Sequence, residues 1–169
     1  MIPHREAAQF DAFVAGASSR LLRTAYLLCG DRGHAEDLVQ TALLRTARRW
    51  RAARDQPEAY TRRVVVNLAK DRHRARSRRL AEVPMDASPD PVTPGREGEV
   101  LDRDALLGVV RGLPDGQRAV LVLRYFDDLS VEETADALGV TTGTVKSQTS
   151  RALASLRLTL DPTAPGDPR

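Results

Sequence analysis

Apolar positions along this chain recur at intervals of three and four, the repeat of helices with one buried face. Phe10, Phe13, Val14, Ala17, Leu21, Ala25 and Leu28 predict a first helix from about Glu6 to Leu28, ended by Gly30. Asp31 is placed to cap a second helix over about Gly33 to Trp50. Gln56-Pro57 marks a turn, and Pro57 or Glu58 opens a third helix that reaches an Arg-rich segment near Arg76. No long run of β-branched or aromatic residues suggests a sheet, so the predicted fold class is all-α.

The pattern then breaks. Leu80 to Glu99 holds four prolines, five acids and almost no apolar periodicity, which reads as an extended, flexible linker. Helical periodicity resumes at Leu101 and stops at Leu113-Pro114-Asp115-Gly116. A helix over about Gly116 to Phe126 follows, with Ala119, Val120, Leu123 and Phe126 on one side. The expected organisation is two small helical domains, over residues 6–79 and 101–160, joined by a linker at 80–100. A short tail at 161–169 has the composition of a disordered end.

Leu129 to Leu156 carries the most specific local pattern. Ser130 and Glu133 have capping-box spacing, Ala135 and Leu138 face inward, and Gly139 supplies a positive-φ turn. Thr141 caps a second helix whose buried side is Val145, Thr149, Leu153 and Leu156. This is a helix-turn-helix, whose second helix enters the DNA major groove. Its outward side offers Thr142, Thr144, Lys146, Ser147, Ser150 and Arg151, hydroxyls and cations suited to phosphates and base acceptors.

Charge strengthens the nucleic-acid reading. The net charge is only +3, but Arg45 to Arg79 holds thirteen basic residues against Asp55, Glu58 and Asp71. Such clustering marks an anionic partner rather than an average bias toward Arg. Enzymatic chemistry finds no support. His4, His34 and His73 are scattered, no acidic cluster has metal-ligand spacing, and no Gly-rich phosphate loop is present. We expect no catalytic residue, no metal and no cofactor. The single cysteine, Cys29, follows Tyr26-Leu27-Leu28 and reads as a buried structural thiol. No apolar stretch has membrane-spanning length and the N-terminus lacks a signal-peptide core, so a cytoplasmic protein without membrane insertion is expected.

Three segments resemble a known family. Gly143-Thr144-Val145-Lys146-Ser147, with Arg151-Ala152 and Leu156-Arg157, looks like the signature of sigma region 4. Ala35-Glu36-Asp37-Leu38-Val39-Gln40 looks like that of region 2.2, and Val66-Asn67-Leu68-Ala69-Lys70-Asp71 resembles that of region 2.4. They lie in family order, and the chain resembles an extracytoplasmic-function (ECF) sigma factor of the sigma-70 family, of the actinobacterial sigma-E-like kind. The resemblance implies a region 2 module at 6–79, a three-helix-type bundle, and a region 4 module with the helix-turn-helix at 101–160.

It also implies roles. Asp37, Gln40, Thr41 and Leu44 fall on one helix face, which in the family docks on the β′ clamp helices of core RNA polymerase. Region 4 is expected to meet the β flap. Arg63, Asn67, Lys70 and Arg74 form a polar stripe, with Val64, Leu68 and Ala69 toward the other side, and Arg62 is grouped with them as a candidate −10 DNA-binding residue. In the family that helix and the loop before it open the −10 element and hold a flipped base, though here Arg51 to Pro57 lacks an aromatic. The −35 duplex falls to Thr142, Thr144, Lys146, Ser147, Ser150 and Arg151, with Gln148 standing where the family usually has Arg. The linker threads toward the polymerase active centre in the family. An anti-sigma factor is a further implied partner. The competing reading is a helix-turn-helix regulator that acts without polymerase. It explains the second module but leaves the AEDLVQ helix and the basic helix unused.

Overall fold

A computed structural model describes residues 4–82 and 100–160. The expected linker falls almost wholly, and the tail wholly, outside the described residues. Eight α-helices account for the fold: α1 (His4–Cys29), α2 (Arg32–Arg48), α3 (Trp50–Ala53), α4 (Pro57–Glu82), α5 (Val100–Gly112), α6 (Asp115–Leu121), α7 (Val131–Leu138) and α8 (Thr142–Leu160). A π-helical turn, Val122–Phe126, continues α6. No strand occurs among the described residues, in keeping with the all-α expectation.

In the N-terminal half, α1, α2 and α4 pack around Ala17, Leu21, Ala25, Ala35, Leu38, Val39, Ala42 and Val65. Alanine at four of these positions lets the helix backbones approach closely. Gly30 sits at φ +75° and its N–H bonds the Tyr26 carbonyl at 2.8 Å, which ends α1 as the sequence indicates. The Asp31 carboxylate accepts the His34 amide at 2.8 Å and starts α2. Deep between α2 and α4 the hydroxyls of Thr46 and Thr61, both fully buried, meet at 2.8 Å.

Two boundaries differ from expectation. The second helix breaks at Arg49 (φ −114°, ψ 23°), and Trp50 opens the short α3 rather than closing α2. The break turns the indole into the core, edge-on to Phe10 at 5.2 Å and beside Phe13 at 5.9 Å. In addition, α4 runs on to Glu82, well past Arg76.

In the C-terminal half, Ser130 and Glu133 form the expected capping box, and Gly139 adopts φ 65°, ψ 40° at the turn. The Thr141 hydroxyl accepts the Thr144 amide at 3.2 Å to cap α8. The buried side of α8 centres on Val145 and Ala152, both 0 % exposed, while Thr149, Leu153 and Leu156 are half-buried. Ala152 was not in the expected set; it is buried with Leu113 and Leu121, where α8 meets α5 and α6.

The two halves pack on each other through α4. Val65 faces the N-terminal core, whereas its neighbour Val66, 1 % exposed, belongs to the C-terminal core with Val120, Leu123, Ala135, Leu138 and Val145. A helix buried on two sides has weak one-sided amphipathicity, so the second contact is hard to read from periodicity.

Candidate polymerase and promoter interface

Three surfaces carry the residues singled out by the sequence. On α2, Ala35, Leu38, Val39 and Ala42 point into the core, which turns Asp37, Gln40 and Leu44 outward. Thr41 lies half-buried at the edge of the same face. Leu44 is 60 % exposed, a large apolar side chain left uncovered beside polar ones.

On α4 the expected stripe divides in two. Arg63, Asn67 and Arg74 are exposed. Arg62, Val66, Lys70 and His73, roughly a quarter-turn round the helix, face the C-terminal half. The Arg62 guanidinium bonds Glu58 at 3.1 Å and pairs with Asp127 at 3.3 Å. The Lys70 ammonium donates to the Leu138 carbonyl at 2.5 Å, and His73 meets Asp115 at 2.7 Å. Burial, then the neighbouring Arg74, lowers the Lys70 pKa.

On α8, Thr142, Lys146, Ser147, Ser150 and Arg151 are exposed on the face opposite Val145. Thr144 is half-buried, and its hydroxyl is engaged with that of Thr141 at 3.0 Å. Ser147 donates to the Thr144 carbonyl at 3.0 Å, leaving its oxygen lone pairs outward. Gln148 leans on α6, close enough that a Cβ at Gly116 would meet its amide at 3.6 Å, so it does not belong to the outward row.

Two features escaped the sequence reading. A groove of about 650 Å³ lies between Gln56, Tyr60 and Arg63 on one side and Leu129, Glu133 and Asp136 of the C-terminal half on the other. Tyr60, an aromatic one helical turn past Pro57, lines this groove. The second feature is Asp127. Its side chain is 4 % exposed and accepts the Thr24 hydroxyl at 2.8 and 2.9 Å. Burial pushes this carboxyl above the ordinary aspartate range, outweighing the Thr24 hydrogen bond and the charges of Arg62 and Arg23. In the sequence it is one acid of a loop.

Cys29 is half-buried rather than buried, and its thiol contacts the Asp31 carbonyl at 3.2 Å. Desolvation raises its pKa, away from reactive thiolate chemistry. Among the described residues no group of His, Cys, Asp and Glu could hold a metal ion, and no helix is long and apolar enough to cross a membrane.

A basic helix and a capped helix-turn-helix together define a DNA-recognition protein with two helical halves. Comparison with known proteins gives the family. The model of sigma-70 region 2 matches residues 14–79 and that of sigma-70 region 4 matches residues 103–156. The RNA polymerase sigma-E factor of Streptomyces avermitilis is 42 % identical over 160 residues, 94 % of this chain and 88 % of that protein. The ECF RNA polymerase sigma factor SigL of Mycobacterium tuberculosis is 33 % identical over 160 residues, 92 % of this chain and 90 % of that protein. Among solved structures, the sigma factor RpoE in complex with the anti-sigma factor NepR from Bartonella quintana superposes with a TM-score of 0.71 at 25 % identity, covering 92 % of this chain and 98 % of that one. CnrH in complex with the cytosolic domain of CnrY shares the fold, with a TM-score of 0.64 at 23 % identity over 92 % of this chain and 89 % of that one.

The chain belongs to the sigma-70 family of RNA polymerase sigma factors, in its ECF branch. Its function is polymerase-directed promoter recognition, and the reading as a regulator independent of polymerase is not favoured.

Proposed function

We propose that this chain binds core RNA polymerase with its N-terminal module, at 6–79, through Asp37, Gln40, Thr41 and Leu44 against the β′ clamp helices. The region 4 module, at 101–160, meets the β flap and places Thr142, Thr144, Lys146, Ser147, Ser150 and Arg151 on a −35 duplex. Arg62, Arg63, Asn67, Lys70 and Arg74 hold the non-template strand of an opened −10 element. Cations track its phosphates and the Asn67 amide pairs with an exposed base edge. Gln56 and Tyr60, beside Arg63, take the base turned out of the stack, with the phenol ring as its stacking partner.

The chain makes and breaks no covalent bond in this scheme; it supplies binding energy and position to the polymerase, in the cytoplasm. Residues 80–100 connect the two modules across the distance between the promoter boxes. An anti-sigma factor holds the chain inactive; RpoE of B. quintana, similar over nearly its whole length, has been solved with one.

The observation that carries the polymerase assignment is Leu44, 60 % exposed on the same helix face as Asp37 and Gln40. Gel filtration with core polymerase tests it. The chain is expected to co-elute with the core and Leu44→Asp to run free; a wild-type chain that never co-elutes refutes the assignment.

A further inference from the structure

The groove beside Tyr60 draws on both halves of the chain, and its two walls carry opposite charge. Gln56, Tyr60, Arg62 and Arg63 stand at α4 and the turn before it, and Glu133 and Asp136 on α7. Apart from Asp55 the rest of the lining is apolar and mostly small, with Ala53, Ala59 and Ala137 leaving room that larger side chains would fill. The space of about 650 Å³ falls within the roughly 300–1,000 Å³ of sites that take small organic ligands.

Some of these charges are already committed. Arg62 bonds Glu58 at 3.1 Å and Asp127 at 3.3 Å. One Glu133 oxygen accepts the Ser130 amide at 2.7 Å in the capping box. Arg63 and Asp136 are exposed, and among the described residues neither side chain has an ion pair or a hydrogen bond. An uncommitted cation and an uncommitted carboxylate thus line one groove from opposite walls, with an aromatic ring and the Gln56 amide on the side of the cation.

Those groups specify a ligand in three parts. Tyr60 offers a face to a flat ring. Arg63 calls for an anion, and a guanidinium suits a phosphate. The Asp136 carboxylate only accepts, and its two oxygens match two N–H donors side by side. Guanine presents a ring N–H next to its exocyclic amine. Adenine and cytosine set their amine next to an acceptor nitrogen, and uracil has a single N–H between two carbonyls. We infer that the groove is a binding site for a guanine nucleotide, with the base on Tyr60 and Asp136 and the phosphate on Arg63. The Gln56 amide is then left to donate to the guanine carbonyl. The inference rests on the reading of Tyr60 as a stacking partner for a base, and extends it from a strand to a free nucleotide. A bound nucleotide touches both halves, so it stabilises the folded chain by mass action. It also occupies the ring proposed for the −10 base, so nucleotide and promoter strand exclude each other.

Calorimetric titration of the full-length chain tests this with guanosine monophosphate, adenosine monophosphate and inorganic phosphate as probes. Guanosine monophosphate should saturate one site per chain and raise the melting temperature with its concentration. Adenosine monophosphate should bind roughly tenfold more weakly, and phosphate more weakly still. Asp136→Asn should cost guanosine monophosphate roughly tenfold and abolish the preference over the adenine nucleotide. Tyr60→Ala should weaken both nucleotides alike, by roughly tenfold. Circular dichroism checks that each variant keeps its helices.

No saturable binding overturns the inference. Equal binding of both nucleotides and phosphate does so too, because it reports an anion on an arginine and no base site. An Asp136→Asn chain that still prefers guanine is a third contrary result. Permanganate footprinting of promoter opening by holoenzyme separates the nucleotide site from the reading beneath it. If Tyr60→Ala impairs opening while wild type binds no guanosine monophosphate, the nucleotide site alone is lost. A Tyr60→Ala chain that opens promoters and binds the nucleotide as wild type does sinks both.

Discussion

The ammonium of Lys70 ends 2.5 Å from the carbonyl oxygen of Leu138, the last residue of the first helix of the helix-turn-helix. A cation at a helix C-terminus meets unpaired carbonyls and the negative end of the helix dipole, so the contact is favourable from both sides. One residue of the basic stripe thus also holds the end of the first helix of the helix-turn-helix.

If Lys70 holds the −10 strand as proposed, Lys70→Ala, assayed within assembled holoenzyme, should weaken −10 strand binding evenly across sequences. The salt slope should fall by about 1, as for loss of one phosphate contact. Titration of a −10 single strand at several salt concentrations measures both. A loss confined to one base position would make Lys70 a base reader.

Leu44→Ser should leave thermal stability within about 0.5 kcal/mol, because the side chain is already exposed. It should weaken binding of core polymerase by roughly 1.5–3 kcal/mol if the contact buries the leucine fully. Fluorescence titration with labelled core polymerase, alongside a thermal melt, separates the two effects. A lowered melting temperature with unchanged affinity would assign Leu44 to the fold.

Arg151→Ala should lower −35 affinity by roughly 1–3 kcal/mol and relax specificity at one position, provided the guanidinium makes a bidentate base contact. Binding to a set of single-base variants of the −35 duplex checks this. An equal loss for every duplex would place Arg151 on a phosphate.

Glu58 gives a pH dependence. Hydrogen bonds from Arg20 (2.8 and 3.0 Å), together with the charges of Arg20 and Arg62, hold its carboxyl below the ordinary value of 4.5 against a smaller effect of burial. A depressed acid stabilises the fold above its unfolded pKa and loses that contribution as pH falls through the folded pKa. Wild type should therefore melt higher than Glu58→Gln by a constant margin near neutrality. The margin should shrink as pH drops below 4.5. Melts at a series of pH values settle it; a margin that widens in acid contradicts the assignment.

Periodicity and caps were enough to read most of the secondary structure, because each signal is local. Gly30, Asp31, Ser130, Glu133 and Gly139 act within a few residues of themselves, and all do in the structure what their spacing indicates. The helix break at Arg49 was not legible, since no Gly or Pro marks it; Trp50, just past it, packs edge-on to Phe10. The exposure of a candidate residue was legible where it follows from the buried face of the same helix, as for Asp37 behind Leu38 and Val39. Burial and pairing were not legible where they depend on the other half of the chain. Val66 and Arg62 look like one more apolar and one more basic residue of α4, and only the approach of the C-terminal half gives them a partner. Asp127 acquires its place through a π turn that no propensity indicates.

The most direct measurement is run-off transcription by core polymerase, with and without this chain, on a library of promoter fragments from its source genome. Discrete start sites should appear only when the chain is added, and should disappear with Leu44→Asp. Transcription indistinguishable from that of core polymerase alone, from a chain shown to be folded, would contradict the account.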